Sequence, residues 1–414
     1  MNELSRTLDM VVIGGGQAGL AFGWHLQQHG LDFLIIDEQA RPGGNWRNYY
    51  DSLQLFSPAE YSALPGLPFP GDPKSYPLRD EVVKYLEAYA AEFRLPFQGG
   101  TRVMGVAQKE KVFEVRCDTG AIFTARSVVV ASGGFSRPFT PSIPGLEGFS
   151  GACLHSSAYR TPEPFASQRV VVIGAANSAV QIAYELAGVA EVVLATREKI
   201  RFFPQRILGL DFHTWLKFTR LEQTRWLSDQ STPVLDTGKH RKALNAGLFQ
   251  RRAMFQQVLP DAVVWTDGST TQTDALIFAT GFQPNLDFLT HLPVTDRSGR
   301  VLQHNGVASQ VPGLYFVGLP KQRNFASATL RGVGVDAGYL MPRLLHHLGK
   351  GSRLSCQLHP ARPDLWQDNG AKLEVVDVGF VAQSATERRC GCRSIPAKER
   401  WNRSNIDQLE DQFN

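Results

Sequence analysis

Cysteine is scarce in this sequence, with five residues in a chain of 414. So few cysteines provide no disulfide framework, which favours a reducing compartment, and we expect a cytoplasmic protein. No C-x-x-C pair is present, so the redox centre of a dithiol reductase is missing. The closest pair is Cys390 and Cys392. We expect two free surface thiols there, and a soft-metal or arsenical site is the less favoured alternative.

A run of like charges, a long apolar stretch and clustered metal ligands are also missing. The 43 Lys and Arg residues are nearly balanced by 39 Asp and Glu residues, which argues against nucleic-acid binding. No apolar stretch is long enough to cross a membrane, so neither a membrane span nor a signal peptide is expected. His213, His240 and His304 have no partners at metal-ligand spacing, so no metal site is predicted. The composition is that of a soluble globular protein.

A glycine-rich turn follows the first predicted strand. Gly14, Gly16 and Gly19 have G-x-G-x-x-G spacing directly after the apolar run at residues 10–13. In such a turn the first glycine makes the bend, the second lets a pyrophosphate approach, and the third lets a helix pack on the strand. Asp37 ends the next predicted strand, 23 residues after Gly14, where a carboxylate holds a ribose hydroxyl. The pattern predicts a dinucleotide site, and a βαβ unit without a ligand is the weaker alternative.

The same arrangement begins again 160 residues later, so the chain holds two dinucleotide units. An apolar run at residues 170–173 precedes Gly174, but Ala176 and Ala179 occupy the other two glycine positions. The Ala176 methyl group would lie near the phosphates, whereas alanine at the third position is tolerated. Arg197 replaces the acidic residue, and its guanidinium suits a 2′-phosphate. The alternative is an ordinary surface arginine at a strand end.

The remaining segments are predicted to form a covering loop, a connection between domains, an insertion and a tail. Residues 49–76 are rich in Pro, Ser and aromatic residues, which indicates an irregular loop that covers a site. Three prolines within residues 137–151 indicate a crossing between domains. The aromatic-rich segment 201–258 has a mostly helical pattern and is interpreted as an insertion, and residues 351–414 form a tail of unassigned role.

A third motif lies between the two units. The pattern F-x-G-x-x-x-H-x-x-x-Y/F is complete at Phe149, Gly151, His155 and Tyr159. With this motif, residues 10–347 resemble the class B flavin-dependent monooxygenases, the group of flavin-containing, YUCCA-like and CzcO-like enzymes. The supporting motifs are GGGQAG at residues 14–19, PGGNW at 42–46, GAANSA at 174–179, ATGF at 279–282 and FVG at 316–318.

The resemblance implies an α/β fold with two Rossmann-like dinucleotide-binding domains of the three-layer ββα type. The NADPH-binding domain would be inserted in the FAD-binding domain. The expected boundaries are residues 1–148 for the first part of the FAD domain, 149–281 for the NADPH domain with a helical insertion at about 201–258, 282–350 for the return part of the FAD domain, and 351–414 for the tail.

The resemblance also implies which residues hold FAD and NADPH, although it identifies no catalytic residue. His155 and Tyr159 would belong to the joint between the domains, and Thr280 and Gly281 to the return crossing beside the cofactors. The expected FAD-binding residues are Gly14, Gly16, Gln17, Ala18, Gly19, Asp37, Gly44, Asn45, Trp46, Val103 and Gly318. The expected NADPH-binding residues are Gly174, Asn177, Ser178 and Arg197.

The implied reaction is monooxygenation with O2. NADPH would reduce FAD, and a C4a-(hydro)peroxyflavin would oxygenate a small soft nucleophile (an amine, a sulfide or an arsenical) or a ketone. Phe56 departs from the family, since many members carry at this position an asparagine that supports the oxygenated flavin. One alternative is an NADPH:flavin oxidoreductase, oxidase or redox sensor without oxygenation. A dithiol-type pyridine nucleotide reductase is disfavoured, and homodimer formation is left open.

Overall fold

Residues 6–219, 221–223 and 233–350 are described by the computed structural model, and every structural statement below concerns these residues. Their α-helices are α1 (Gln17–Gln28), α2 (Arg79–Glu92), α3 (Asn177–Leu186), α4 (Phe212–Thr219), α5 (Lys239–Asn245) and α6 (Leu330–His347). Short 3₁₀ turns occur at Gly44–Asn48, Ala59–Tyr61, Leu146–Gly148, Glu163–Phe165, Leu221–Gln223 and Asp287–Leu289.

The strands fall into two large sheets and several small ones. They are β1 (Leu8–Ile13), β2 (Phe33–Ile36), β3 (Phe97–Gln98), β4 (Val103–Lys109), β5 (Val112–Cys117), β6 (Ile122–Val130), β7 (Arg137–Pro138), β8 (Ala152–His155), β9 (Arg169–Ile173), β10 (Glu191–Thr196), β11 (Phe202–Pro204), β12 (Arg206–Ile207), β13 (Leu210–Asp211), β14 (Val234–Asp236), β15 (Gln250–Ala253), β16 (Gln257–Val258), β17 (Ala262–Val264), β18 (Thr270–Gln272), β19 (Ala275–Phe278), β20 (Phe282–Gln283), β21 (Gln303–His304), β22 (Val307–Ala308) and β23 (Leu314–Phe316).

The larger sheet places the first glycine turn at the carboxyl end of its central strand. β1 lies between β2 and β6, all parallel, with Met10 opposite Phe33 and Val12 opposite Val129. β3 and β23 extend the parallel part, and β22 and β21 continue it antiparallel beyond β23. Met10 and Val12 are fully buried because both faces of the sheet are covered, which explains the continuous apolar run.

Helices cover one face of this sheet and a β-meander covers the other. Leu20 of α1 and Leu340 of α6 belong to the core beneath the helices, together with buried residues of α2. On the opposite face, Val115 of β5 and Val128 of β6 belong to a second core. β4, β5 and the first half of β6 form this layer by antiparallel pairing. The unit therefore has three layers.

The second sheet repeats this architecture on a smaller scale. Its five parallel strands have the order β15-β10-β9-β19-β8. Val180 and Leu186 of α3 pack on one face of the sheet. The antiparallel strands β16, β17 and β18 cover the other face, where Trp265 is buried with Val171. This unit also has three layers.

The second unit is inserted in the first. The chain leaves the larger sheet after β6, forms the second sheet, and returns with β21 to β23. The outgoing strand β7 and the returning strand β20 pair antiparallel, with Pro138 opposite Phe282. The predicted α/β fold of two Rossmann-like units is confirmed, while the boundaries at residues 148 and 281 stay predictions.

The segment 201–258 differs from the helical insertion that its sequence led us to expect. Its described residues form the short strands β11 to β16 and the two short helices α4 and α5. β15 pairs with β10 at the edge of the second sheet, and β11 pairs with β14. Pairing on an existing sheet edge satisfies the backbone, and this tertiary gain overrides the local apolar spacing. The tail 351–414, with Cys390 and Cys392, lies outside the described residues.

Candidate functional site

Two of the three glycines of the first turn are required for steric reasons, and the third is not. Gly14 has φ +109°, in the left-handed region, and a Cβ there would lie 2.6 Å from the carbonyl oxygen of Ala131. A Cβ on Gly19 would lie 1.8 Å from the carbonyl oxygen of Gly14, so α1 packs directly on the turn. Gly16 has no such conflict, because the nearest heavy atom is 3.8 Å from its Cβ position. The side of the turn at Gly16 is therefore open to a ligand.

Backbone N–H groups, one of them from the first glycine turn, hold the side chain of Asp37 in place. Its carboxylate accepts the backbone N–H of Gly15 at 2.5 Å and that of Gln39 at 2.7 Å. Burial raises the pKa of Asp37, and the two hydrogen bonds oppose that rise. The residue is 8% exposed and lines the cleft described below. A fixed carboxylate at the end of β2 suits the hydroxyl groups of a ribose.

The PGGNW segment closes over the first turn. Gly44 lies so close to Gly16 that a Cβ on Gly44 would be 2.9 Å from the Gly16 Cα. Trp46 Nε1 donates to Gln17 Oε1 at 2.9 Å, and Gln17 Nε2 donates to the carbonyl oxygen of Ala328 at 2.7 Å. Gln17 thus connects the start of α1 to the Trp46 turn and to the loop before α6.

Gly318 and Val103 lie at strand ends beside this turn. Gly318 has φ +81°, and a Cβ there would lie 2.7 Å from the Cβ of Ala18 at the start of α1. Val103 begins β4 and is buried, whereas the next residue, Met104, is exposed and lines the same cleft. Sequence reasoning did not identify Met104, although its place beside Val103 was the available signal.

The second turn repeats the first with a single glycine. Gly174 has φ +145°, and a Cβ there would lie 2.4 Å from the carbonyl oxygen of Ala279. Ala176 has φ −98° and ψ −178° at the N-cap of α3, an extended conformation that any residue adopts. Ala179 is fully buried in the core under α3. The backbone of this turn therefore needs glycine at residue 174 and tolerates alanine at the other two positions.

Two polar atoms beside the turns are buried and have no hydrogen-bond partner among the described residues. They are Asn177 Oδ1, at the start of α3, and Ser132 Oγ, after β6. Both residues line the cleft. A buried polar atom left unsatisfied costs about 1–3 kcal/mol, so each atom is suited to a hydrogen bond from a ligand.

Basic side chains surround the end of β10. Arg197 and Lys199 are exposed, and both line the cleft together with Arg201. Glu198 offsets part of their charge. The cluster favours an anionic group, and its members after Arg197 were not identified from the sequence.

One cleft of about 1540 Å³ contains both glycine turns. Gly19 does not line it, because this residue is packed between α1 and Gly14. The other predicted cofactor residues all line the cleft: Gly14, Gly16, Gln17, Ala18, Asp37, Gly44, Asn45, Trp46, Val103, Gly174, Asn177, Ser178, Arg197, Thr280, Gly281 and Gly318.

The motif between the two units connects the crossing segments. His155 Nε2 donates to the carbonyl oxygen of Gly281 at 2.9 Å, and burial lowers the pKa of His155. Thr280 Oγ1 donates to the carbonyl oxygen of Phe139 on the outgoing segment. Tyr159, which is 1% exposed, donates its hydroxyl to Glu185 Oε2 of α3 at 2.9 Å. These contacts hold the outgoing and returning segments against the second unit.

Aromatic side chains line the cleft between the two turns. The ring of Tyr49 lies 5.6 Å from that of Trp46 and 6.4 Å from that of Phe282, and Phe135 lies 6.0 Å from Phe282. Burial raises the pKa of Tyr49 to about 12, so its hydroxyl stays neutral. Phe282 ends the ATGF motif and Tyr49 follows PGGNW, so the motif positions were the signal that could have identified them.

The described lining contains no thiol. Cys117 is buried and Cys153 is exposed, and neither lines the cleft. Within residues 6–219, 221–223 and 233–350, no group of three or more His, Cys, Asp or Glu side chains is placed to hold a metal ion. No helix in the same ranges is long and apolar enough to cross a membrane. Both glycine turns face one cleft, so the arrangement suits two nucleotides, and redox chemistry would then come from a bound cofactor.

Comparisons with known proteins agree with this geometry. The profile of the pyridine nucleotide-disulphide oxidoreductase family matches residues 11–318. An uncharacterized CzcO-like oxidoreductase of Geobacillus kaustophilus is 38% identical over 83% of this chain and 100% of its own length. A flavin-containing monooxygenase structure from Stenotrophomonas maltophilia is 34% identical, with a TM-score of 0.74, and covers 82% of this chain and 99% of that one. The indole-3-pyruvate monooxygenase YUCCA1 of Oryza sativa is 28% identical over 67% of this chain and 77% of its own length.

Proposed function

The chain belongs to the class B flavin-dependent monooxygenase family of oxidoreductases, and from this premise we propose a specific reaction for it. The protein uses FAD and NADPH to insert one oxygen atom of O2 into a small soft nucleophile or a ketone. The observation that carries the proposal is the single cleft shared by both glycine turns.

FAD fits the first turn. The open side of Gly16 accepts a pyrophosphate, and the two N–H groups that hold Asp37 keep its carboxylate turned toward a ribose. Ser132 Oγ, which has no hydrogen-bond partner among the described residues, offers a hydrogen bond in the same cleft. Gly318 leaves space beside Ala18 where a side chain would collide.

NADPH fits the second turn. Asn177 Oδ1 is a buried acceptor without a partner among the described residues, and it suits a hydroxyl or amide donor of the nucleotide. Arg197 and Lys199 offer cations at the end of β10, where the 2′-phosphate would bind. The extended conformation of Ala176 keeps the backbone N–H groups at the start of α3 available.

The residues between the turns exclude water and charge. FAD, when bound, supplies the hydride acceptance and oxygen activation that no side chain provides. Tyr49, Trp46 and Phe282 shield the space where the two cofactors meet, and Leu53 and Phe56 extend this apolar lining. A low-polarity enclosure suppresses the loss of activated oxygen to water.

The same lining indicates an uncharged substrate. Residues 49–50 and 53–56 contribute aromatic, aliphatic and one amide side chain to the cleft and no charged group. A charged atom in such surroundings would be desolvated without a counter-ion. A sulfide, a neutral amine, a trivalent arsenical or a ketone meets this requirement.

The test measures NADPH consumption, oxygenated product and hydrogen peroxide in the same reaction. Protein purified with FAD should be yellow, consume NADPH in preference to NADH, and convert a sulfide to its sulfoxide with one NADPH used per product. Amines, ketones and trivalent arsenicals complete the panel. Recovery of every NADPH electron as hydrogen peroxide, for each compound, would contradict the monooxygenase proposal.

Phe56 favours a second candidate function, an NADPH oxidase without substrate oxygenation. Phe56 lines the cleft where many family members carry an asparagine, and its ring has no hydrogen-bonding group. In the peroxide test, the oxidase would return one peroxide per NADPH at the same rate with and without the substrate panel.

A further inference from the structure

Next to the cleft, the partly buried Asp211 is paired with the buried His213. His213 is 1% exposed, and its Nδ1 donates to Asp211 Oδ1 at 2.8 Å. The same carboxylate oxygen accepts the backbone N–H of His213 at 2.8 Å, and Asp211 Oδ2 accepts the hydroxyl of Tyr76 at 2.6 Å. Burial would raise the pKa of Asp211, but the hydrogen bonds from His213 and Tyr76 lower it below its usual value. An ionised carboxylate therefore fixes the orientation of the imidazole.

The imidazole stacks with two rings of the covering loop. Phe56 and Tyr61 each stack on His213 with ring centroids 6.1 Å apart, at interplanar angles of 21° and 26°. Phe56 also lines the cleft, whereas His213 does not. No group in the described ranges donates to His213 Nε2, so the ring is held through Nδ1 and its faces.

The segment that carries His213 holds the backbone of the loop as well. Gln205 Nε2 donates to the carbonyl oxygen of Phe56 at 2.9 Å. Tyr61 donates its hydroxyl to Thr214 Oγ1 at 3.1 Å. The loop at residues 56–61 is therefore attached to residues 205–214 at both of its ends, and His213 fills the space between them.

We propose that His213 is a positioning residue for the cofactor cleft. Its imidazole, oriented by Asp211, holds Phe56 in the cleft wall and thereby keeps the flavin side of the cleft closed to solvent. It does not touch the reacting atoms, and it acts through Phe56. The inference rests on the proposed function where it is tested by peroxide yield. Where it is tested by solvent access to the flavin, it requires only that the protein binds FAD.

Two substitutions distinguish the contribution of the His213 ring from that of its hydrogen bond to Asp211. His213→Asn keeps an amide donor for Asp211 but removes the ring, whereas His213→Phe keeps the ring and removes the Nδ1 donor. Access is measured as quenching of the bound flavin's fluorescence by iodide. Loss of two aromatic stacking contacts should raise the quenching constant about fivefold or more in His213→Asn. His213→Phe keeps the stacked ring but lacks the hydrogen bond to Asp211 that orients it, so its quenching constant should lie between those of wild type and His213→Asn.

A matched control exists in the same unit. His240 is buried and donates Nδ1 to Asp236 Oδ1 at 3.0 Å, but its ring packs on Tyr184 rather than on the covering loop. His240→Asn should therefore leave iodide access unchanged even if it lowers the melting temperature. Equal quenching in His213→Asn and His240→Asn would overturn the proposal.

A double mutant tests the path through Phe56. In a Phe56→Ala background, His213→Asn should add nothing to iodide access, because the wall it supports is already gone. Additive effects would contradict the proposal. In the single variant, the peroxide yield per NADPH should rise with iodide access. If wild-type protein oxygenates nothing, the proposed function fails, while the iodide result still decides the role of His213.

Discussion

Gly19 and Gly14 are in van der Waals contact across the first turn, where a Cβ on Gly19 would lie 1.8 Å from the Gly14 carbonyl oxygen. The obstacle is backbone, which cannot move aside as a flexible side chain can. At Gly16, between them, the nearest heavy atom to a Cβ would be the Gly44 Cα at 3.8 Å, so a methyl group meets no clash there. Gly19 therefore serves the packing of α1 on β1, whereas Gly16 lies on the side of the turn where we propose that the pyrophosphate binds.

Substitution at these two positions should affect different properties. Gly19→Ala should destabilise the protein by about 3 kcal/mol or more, because the turn or α1 must shift. Gly16→Ala should keep the melting temperature within a few degrees but weaken FAD binding. Thermal unfolding of the apoprotein and FAD titration measure the two effects. Wild-type stability in Gly19→Ala would show that the contact is not required.

Arg197 should determine the choice between NADPH and NADH. Removal of a charge-assisted hydrogen bond to the 2′-phosphate costs about 1.5–3 kcal/mol, so Arg197→Gln should raise the KM for NADPH roughly 10- to 100-fold. The KM for NADH should stay nearly constant. Arg252→Gln is the matched control, since Arg252 pairs with Asp267 and does not line the cleft. An equal loss with both coenzymes would contradict a phosphate-binding role.

His155 should make stability depend on pH near neutrality. Burial lowers the pKa of His155 below 6.5, and its hydrogen bond to Gly281 opposes that shift. As the pH falls below 6.5, the unfolded chain takes up the proton first, so the native state loses stability. His155→Gln, which retains a donor for Gly281, should lose less stability between pH 7 and pH 5. Urea unfolding measures the free energy of unfolding of both proteins at each pH. An equal loss of this free energy in wild type and His155→Gln between pH 7 and pH 5 would refute the prediction.

Asp274 should contribute stability until strongly acidic pH. Its carboxylate accepts Arg169 Nε at 2.9 Å and Nη2 at 2.6 Å, and hydrogen bonds from Arg169 lower the pKa of Asp274 from 3.8 to about 2. The contribution is present above about pH 4 and is lost as the pH falls toward 2. Because the side chain is 38% exposed, screening limits it to roughly 1 kcal/mol.

Asp274→Asn tests this contribution. The variant should be less stable than wild type by about that amount at pH 7. The difference should shrink as the pH falls from about 4 toward 2, because the unfolded chain takes up the proton near pH 4, whereas the native carboxylate stays ionised down to about pH 2. Chemical unfolding at pH 7, 5 and 3 provides the comparison. A deficit that is the same at all three values would assign the effect to packing rather than charge.

The sequence determined the two βαβ units, and most of the residues that it predicted to bind cofactors line the cleft. Local backbone and sequence features explain this agreement. Gly14 and Gly174 have positive φ, which favours glycine. Asp37 and Arg197 each follow a strand of clearly apolar composition. The same local reasoning misjudged residues 201–258. The pairing of β15 with β10 depends on a sheet edge built from residues far away in the chain.

Only the tertiary structure brought the two turns to one cleft and placed His213 behind Phe56. Spacing along the chain records which residues bend, cap or fill a strand, but it carries no information on which faces meet. Phe56 and His213 are 157 positions apart in the sequence, yet their rings stack on each other. No pattern in the sequence predicts such a contact. Local backbone preference therefore fixed the two βαβ units, and packing between distant segments fixed the cleft that they share.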